Sequence, residues 1–217
     1  GTEPSRQLRD FNAAVTYASD PPVIVVIDDA GLVMPLSDGE ARITATAPDG
    51  TQASLDVVVA HYTDQVPISF PNEIVPIFTK LGCNGGGCHG KASGQNGFKL
   101  SLLGFEPPED FEYLVKEARG RRLFPAAPDR SLLLEKATNS VPHGGGQRLT
   151  RDSHEYRLMR RWIAQGMPYG NDDDPHVTHI EVFPDRRQMV RGDRQQLTVI
   201  AHYSDGSTED VTHTTQF

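Results

Sequence analysis

Both cysteines of this 217-residue chain lie in one glycine-rich stretch, Cys83-Asn84-Gly85-Gly86-Gly87-Cys88-His89-Gly90. Two thiols followed directly by an imidazole are what covalent attachment of haem c needs, since the thiols bond the porphyrin and the histidine reaches its iron. Four residues separate the cysteines instead of the usual two, so the intervening backbone has to bulge. Gly85 to Gly87 allow a bulge, because glycine enters positive-φ conformations at little steric cost. The motif predicts one haem c per chain, with Cys83 and Cys88 as anchors and His89 as proximal ligand.

Two other interpretations of the motif remain open at this point. The cysteines are close enough in sequence to form a disulfide in an oxidising compartment, although a disulfide gives no reason for the adjacent His89. A structural zinc site needs four Cys or His ligands, and the nearest other histidine in sequence, His61, lies in a strand-like stretch.

Charge and hydropathy exclude several classes of partner. The net charge of −8, with both signs interspersed, argues against nucleic acid, and no run of Lys or Arg is long enough to follow a phosphate backbone. No apolar segment has the length of a membrane span, and the first residues carry no signal-peptide pattern. We therefore expect a piece of a longer protein without a membrane span of its own.

Strand and turn patterns occupy both ends of the chain. Residues 1–69 contain Val-, Ile- and Thr-rich stretches separated by turns such as Ser37-Asp38-Gly39, and residues 176–217 contain further strands around an Asp205-Gly206 turn. Both pieces resemble the bacterial immunoglobulin-like domain of group 2, through Asp38-Gly39-Glu40-Ala41-Arg42-Ile43-Thr44 in the first piece and Tyr203-Ser204-Asp205-Gly206-Ser207 in the second.

The two pieces carry different parts of that domain. The first has the signals of its later strands and the second those of its opening strands, so each alone would expose unpaired edges and an apolar face. We expect the two pieces to pair into one composite β-sandwich, within one chain or in a dimer that complements one chain with another. Two partial sheets that stay separate are the alternative.

A helical segment is predicted between the strand-rich pieces, over residues 70–170. An apolar stripe with helical spacing runs from Phe111 to Ala118 and ends at Gly120, and a last helix begins near Ser153 and stops at Gly166. The predicted fold class is therefore α + β multidomain, with a small all-α domain and an immunoglobulin-like sandwich.

Four short stretches resemble, in the family's order, the planctomycete-type cytochrome c domain of class I: Cys88-His89-Gly90, Pro128-Asp129-Arg130-Ser131-Leu132-Leu133, His143-Gly144-Gly145-Gly146 and Trp162-Ile163-Ala164-Gln165-Gly166. The resemblance implies haem c attached outside the cytoplasm, in the periplasm or another compartment of a bacterial cell envelope. It also implies a place beside immunoglobulin-like domains in a larger protein.

The sixth iron ligand is where the chain departs from that family. Family members commonly carry a Met-Pro pair before the terminal helix, whereas this chain has Val141-Pro142-His143 there. His143 is our expected distal ligand, and Met167, just after the terminal helix, is the alternative. A second imidazole would lower the reduction potential relative to a thioether.

Arginines are the expected partners of the haem propionates, which need cationic or hydrogen-bonding groups. The candidates are Arg119, Arg121, Arg122 and Arg148, with Arg122 foremost.

The sequence thus favours a monohaem electron-transfer module that exchanges electrons with a redox partner protein or with other domains of its parent protein. No nucleophile, base and orienting group occur together near the motif, so we expect no enzyme activity in this segment. A haem-based sensor of small ligands and a cofactor-free envelope module with a disulfide are the alternatives.

Overall fold

The computed structural model describes residues 14–29, 31–64 and 66–217. The chain divides into two compact units: residues 1–66 with 183–197, and residues 67–182 with 198–217. The first thirteen residues of the predicted domain 1–69 lie outside the described part of the chain.

The first unit is built from antiparallel strands. Their bounds are β1 Thr16–Asp20, β2 Val25–Ile27, β3 Val33–Pro35, β4 Gly39–Thr46 and β5 Gln52–Val59. Strands β1, β4 and β5 form one sheet in that order, and β2 pairs with β3 in a second. In β4 the alternation of the sequence sets the burial, since Ala41 and Ile43 are buried and Glu40 and Arg42 are exposed.

The second unit holds the helices and the last strands. Its α-helices are α1 Val75–Lys80, α2 Pro107–Phe111, α3 Leu132–Ala137 and α4 His154–Ala164. Its strands are β6 Val177–Phe183, β7 Thr198–Tyr203 and β8 Thr208–Asp210. All of β6 except its last residue, Phe183, belongs to this unit. Short turns of π-helix span Phe70–Ile74 and Glu112–Lys116, and 3-10 turns span Leu102–Gly104, Glu117–Gly120 and Pro128–Arg130. The strands form one sheet in the order β6-β7-β8.

Aromatic side chains fill the core of the second unit. Phe70 and Trp162 are fully buried with ring centroids 5.4 Å apart, and Phe111 packs edge-on against Phe70 at 5.3 Å. The Trp162 indole donates a hydrogen bond to the Pro168 carbonyl at 2.8 Å, which satisfies its one polar atom. This core holds α4 against the segment that precedes the cysteine motif.

The prediction of a small all-α cytochrome c-like domain is wrong. The four α-helices of the described residues are only 5 to 11 residues long. Polar contacts join this segment to residues on either side of the strands that follow, since Lys80 Nζ donates to the Thr215 carbonyl at 2.5 Å and Asn72 Nδ2 to the Pro175 carbonyl at 2.7 Å. Helices and strands therefore share one compact unit.

Within one chain the predicted composite sandwich, and with it the α + β multidomain fold class, is wrong as well. The apolar cluster of the first unit consists of Ile24, Val25, Ala41 and Ile43, with Ile27, Val57 and Val59 against it, and contains no residue of β6, β7 or β8. Strands β7 and β8 belong to the other unit. Val199 and Ala201 of β7 are buried there instead.

Helix boundaries were predicted well at α4 and poorly at α2. Ser153 caps α4 by accepting a hydrogen bond from the Tyr156 amide at 3.2 Å, and Gly166 follows the helix at φ +83°, as predicted. The helix that begins at Pro107 passes after Phe111 into the π-helical turn Glu112–Lys116, and the chain then leaves helical geometry at Ala118 and Arg119, whose φ values are +52° and +58°. None of the helices in the described ranges is long and apolar enough to cross a membrane.

Candidate functional site

A cavity of about 730 Å³ opens among α1, α3, α4 and the loops that carry the predicted ligands. Its volume lies within the range of about 300 to 1,000 Å³ typical of cofactor and ligand sites. Cys83, Cys88, His89 and His143 all line it. The structure therefore brings together all five site residues ranked first from the sequence, since Arg122 lines the cavity as well.

The cysteine loop starts where α1 ends. Gly82 follows α1 with φ +71°, and the Cys83 amide donates to the Phe78 carbonyl at 2.8 Å. The loop then folds back on itself, since the His89 amide donates to the Cys83 carbonyl at 3.0 Å. Gly85, Gly86 and Gly87 do not adopt the positive φ that we expected; the left-handed residue of this turn is Gly82.

Close packing inside the loop requires a residue that the motif analysis did not single out. A Cβ on Gly90 would lie 1.9 Å from the Asn84 carbonyl oxygen, so only glycine fits at this position. Asn84 itself is fully buried, and its Nδ2 donates to Thr79 Oγ1 at 2.8 Å. The glycine directly after the Cys-His pair was the only sequence signal for this constraint.

Both cysteines are free thiols that lie half-buried at the cavity. Burial raises the pKa of Cys83 to about 11. The Cys83 side chain is therefore a neutral thiol at pH 7, which is the weakly nucleophilic form.

His89 is oriented by the backbone of the loop that follows it. Its Nδ1 lies 3.0 Å from the Phe98 carbonyl oxygen, which can only accept, so Nδ1 carries the proton and Nε2 is left with its lone pair. The Phe98 ring packs beside the imidazole with centroids 4.6 Å apart. Burial lowers the pKa of His89, which keeps the imidazole neutral.

His143 is oriented in the same way from the other side of the cavity. Its Nδ1 lies 2.8 Å from the Gly146 carbonyl oxygen, within a turn closed by the Gly146 amide and the His143 carbonyl at 2.9 Å. Gly146 adopts φ +70°, which favours glycine at that place. The Nε2 of His143 is thus also left with a free lone pair.

The separation of the two imidazoles matches that of two rings on one metal ion. Their planes are 7° from parallel and their centroids are 6.4 Å apart. Metal–imidazole bonds of about 2.0 to 2.1 Å place the centroids of two opposed rings roughly 6.3 Å apart. Metal-ligating histidines usually donate their other ring N–H to a carbonyl or carboxylate, as both rings do here.

Around the histidines, the cavity has an apolar floor and a cationic rim. The apolar lining residues come from all three helices and the loops: Phe78, Leu81, Phe98, Leu100, Leu132, Leu133, Ala137 and Met159. The charged lining residues are Arg121, Arg122, Lys136 and Arg148, with no Asp or Glu among them. Such a lining suits a largely apolar ligand that carries anionic groups.

Arg122 lies at the cavity, but its guanidinium is already engaged. The side chain is buried and donates to the backbone carbonyls of Tyr113 at 2.7 Å and Glu117 at 3.2 Å, and also to that of Gly97. It lies over the Phe98 ring, 4.7 Å from the centroid. Arg122 therefore holds the Phe98 loop in place, and this loop in turn orients His89.

The other candidate residues fall into two groups. Arg121 and Arg148 are exposed lining residues, whereas Arg119 does not line the cavity. Met167 packs at the edge of the main apolar cluster and is not among the lining residues. Met159 of α4 is 2 % exposed and lines the cavity.

Sequence reasoning missed the two acceptors that orient the histidines. All residues carry the same backbone carbonyl, whatever their side chain. The sequence therefore holds no signal that marks the oxygen of Phe98 or of Gly146 as an acceptor. Comparison with protein-family models, curated proteins and solved structures found no match to this chain.

Proposed function

We propose that this chain is a monohaem c-type module that transfers single electrons within a larger protein of the bacterial cell envelope. The observation that carries the proposal is the pair of near-parallel imidazoles, 6.4 Å apart across a cavity that also holds both cysteines. Haem c, when bound, supplies an iron that alternates between its ferric and ferrous states. The proposal concerns this site and not the fold of a cytochrome c.

The residues that would hold the group have separate tasks. Cys83 and Cys88 would form the thioether bonds, and His89 and His143 would ligate the iron. Each histidine keeps its proton on Nδ1 and directs it to a backbone carbonyl, which fixes the ring and leaves Nε2 for the metal. Arg121 and Arg148 would pair with the carboxylate groups at the rim.

The same arrangement argues for electron transfer over substrate chemistry. With His89 and His143 both engaged as ligands, the iron would offer no free position to a substrate. The electron would come from or pass to a redox partner protein or another domain of the parent protein. Covalent attachment of haem c implies a periplasmic or other extracytoplasmic location.

The test begins with the protein produced in a host that matures c-type cytochromes. We expect an intact mass that is larger by one haem and a sharp reduced α-band after dithionite. A colourless protein without added mass would contradict the proposal and leave the cofactor-free envelope module. A spectrum of the unchanged protein that shifts with CO or cyanide would favour the small-ligand sensor.

A pair of substitutions separates the two candidate distal ligands. His143→Ala should convert the oxidised spectrum to that of five-coordinate or water-ligated iron and open the site to cyanide. Met167→Ala, the matched control, should leave the spectrum unchanged. His143→Met should raise the midpoint potential, because a thioether favours ferrous iron more than an imidazole does. The opposite pattern, with Met167→Ala alone changing the spectrum, would assign the ligand to Met167.

A further inference from the structure

A second group of metal-ligating side chains lies in the strands that follow the helical segment. Among the described residues, the one group of three or more His, Cys, Asp or Glu whose ligand atoms all lie within 4.8 Å of one another is His179, Glu181 and His202. His179 and Glu181 are two positions apart on β6 and so share one face of the sheet, and His202 lies on the neighbouring strand β7. We propose that these three residues bind a divalent transition-metal ion such as zinc.

The state of His202 is the first observation in favour of an ion. Its Nε2 is buried and has no hydrogen-bond partner, which is uncommon for a buried polar atom. The same nitrogen lies 3.4 Å from Glu181 Oε2. Two ligands on a tetrahedral zinc ion, each about 2.0 to 2.2 Å from the metal, are roughly 3.4 Å apart. A cation between these two atoms would satisfy the nitrogen.

The hydrogen bonds of Thr178 define the tautomer of His179. The Thr178 hydroxyl lies 3.0 Å from the His202 carbonyl, to which it donates its only proton. The same oxygen lies 3.2 Å from His179 Nδ1 and must therefore accept the Nδ1 proton. His179 Nε2 is consequently left with a lone pair. A ring N–H held by a neighbouring polar group is the usual support of a metal-ligating histidine.

The side chains have the freedom that closure around an ion requires. The two imidazoles stack with centroids 4.2 Å apart and planes 10° from parallel, so one ring has to turn for both to bind one ion. His179 is exposed, and the Glu181 side chain is 68 % exposed, so each can rotate without disturbing the core.

The donor set indicates the class of metal. Two imidazoles and one carboxylate suit zinc, copper, nickel or ferrous iron, and not calcium or magnesium, which prefer oxygen ligands alone. Three protein ligands leave a fourth position for water, so the proposed site is open to an external ligand. The inference does not rest on the haem proposal, since it uses different residues.

The test is a zinc titration of the full chain, after treatment with EDTA, followed through the ring nitrogen signals of the histidines by NMR. We expect the signals of His179 and His202 to shift together and to saturate at one zinc ion for this site. Signals that stay unmoved would overturn the proposal, as would zinc that moves only His89 or His143. Because each histidine is observed separately, zinc bound at the cysteine loop cannot imitate the expected result.

Two variants test the ligands with little risk to the fold. Glu181→Gln keeps the shape of an exposed side chain and should weaken zinc binding at this site by at least roughly tenfold. His179→Ala should abolish the zinc-dependent shift of His202. The control is His176→Ala, which removes an exposed histidine three positions upstream and should leave binding unchanged. Equal zinc affinity in all three variants would refute the assignment.

Discussion

Replacing Gly90 by alanine tests whether the packing of the cysteine loop is as tight as the structure indicates. The added Cβ would lie 1.9 Å from the Asn84 carbonyl oxygen and 2.6 Å from its carbon. Real Cβ contacts are essentially never shorter than 3.0 Å, so the backbone at Gly90 or at Asn84 has to move by about 1.1 Å. Asn84 is fully buried, which leaves it no solvent to move into.

The size of the effect follows from what that movement breaks. The Asn84 carbonyl accepts a hydrogen bond from the Leu103 amide at 3.1 Å, and the Gly90 amide donates to the Gly85 carbonyl at 3.1 Å. A buried group that loses its partner costs about 1 to 3 kcal/mol, and overpacking costs about 1 to 3 kcal/mol more. We therefore expect Gly90→Ala to lower the free energy of unfolding by about 2 to 6 kcal/mol.

The matched control is Gly87→Ala in the same loop. A Cβ on Gly87 would meet no atom within 4 Å, so this variant should stay within about 0.5 kcal/mol of the parent chain. Urea unfolding followed by fluorescence measures both, because Trp162 is the only tryptophan and is buried in the unit that holds the loop. Equal unfolding midpoints for the two variants would refute the steric argument.

Two further predictions concern stability away from the cysteines. Arg122→Lys should cost about 2 to 3 kcal/mol, because lysine cannot serve three carbonyls at once, whereas the exposed neighbour Arg121→Lys should change the urea midpoint little. The hydrogen bond from the Tyr156 hydroxyl and then that from Arg160 lower the pKa of Asp129 from 3.8. This carboxylate therefore stabilises the fold above that pH, and the contribution is lost as the pH falls through the lowered value. Asp129→Asn should flatten the acid limb of a melting-temperature profile, and an acid limb of unchanged slope would contradict the assignment.

Much of the candidate site could be predicted because its chemistry is carried by side chains. Two thiols, an adjacent imidazole and a histidine beside a triple glycine can be recognised from residue types alone. The task of Arg122 could not, since three backbone carbonyls occupy a side chain that we expected to face a ligand. Gly90 was also missed, because its constraint comes from Asn84, which reaches it only through the fold of the loop.

The fold was predicted less well because local patterns do not specify which partner a face meets. The Ser37-Asp38-Gly39 turn and the helix start near Ser153 identified real element boundaries, since β4 begins at Gly39 and α4 directly after Ser153. An apolar strand face, in contrast, can be covered by any neighbour of suitable shape. Val199 is buried as a composite sandwich would require, but it belongs to the unit of the helical segment.

The anchoring of His89 and His143 by main-chain oxygens has a consequence for how this site tolerates change. A side-chain substitution at Phe98 leaves the acceptor of the His89 proton in place, because that atom belongs to the main chain. Scanning mutagenesis with alanine would therefore underestimate this loop, whereas in the 144–146 turn an added Cβ meets the His143 ring at Gly145 and a left-handed φ at Gly146. Insertion or deletion of a single residue between His89 and Phe98, which moves the carbonyl itself, is the change to which ring orientation is most vulnerable.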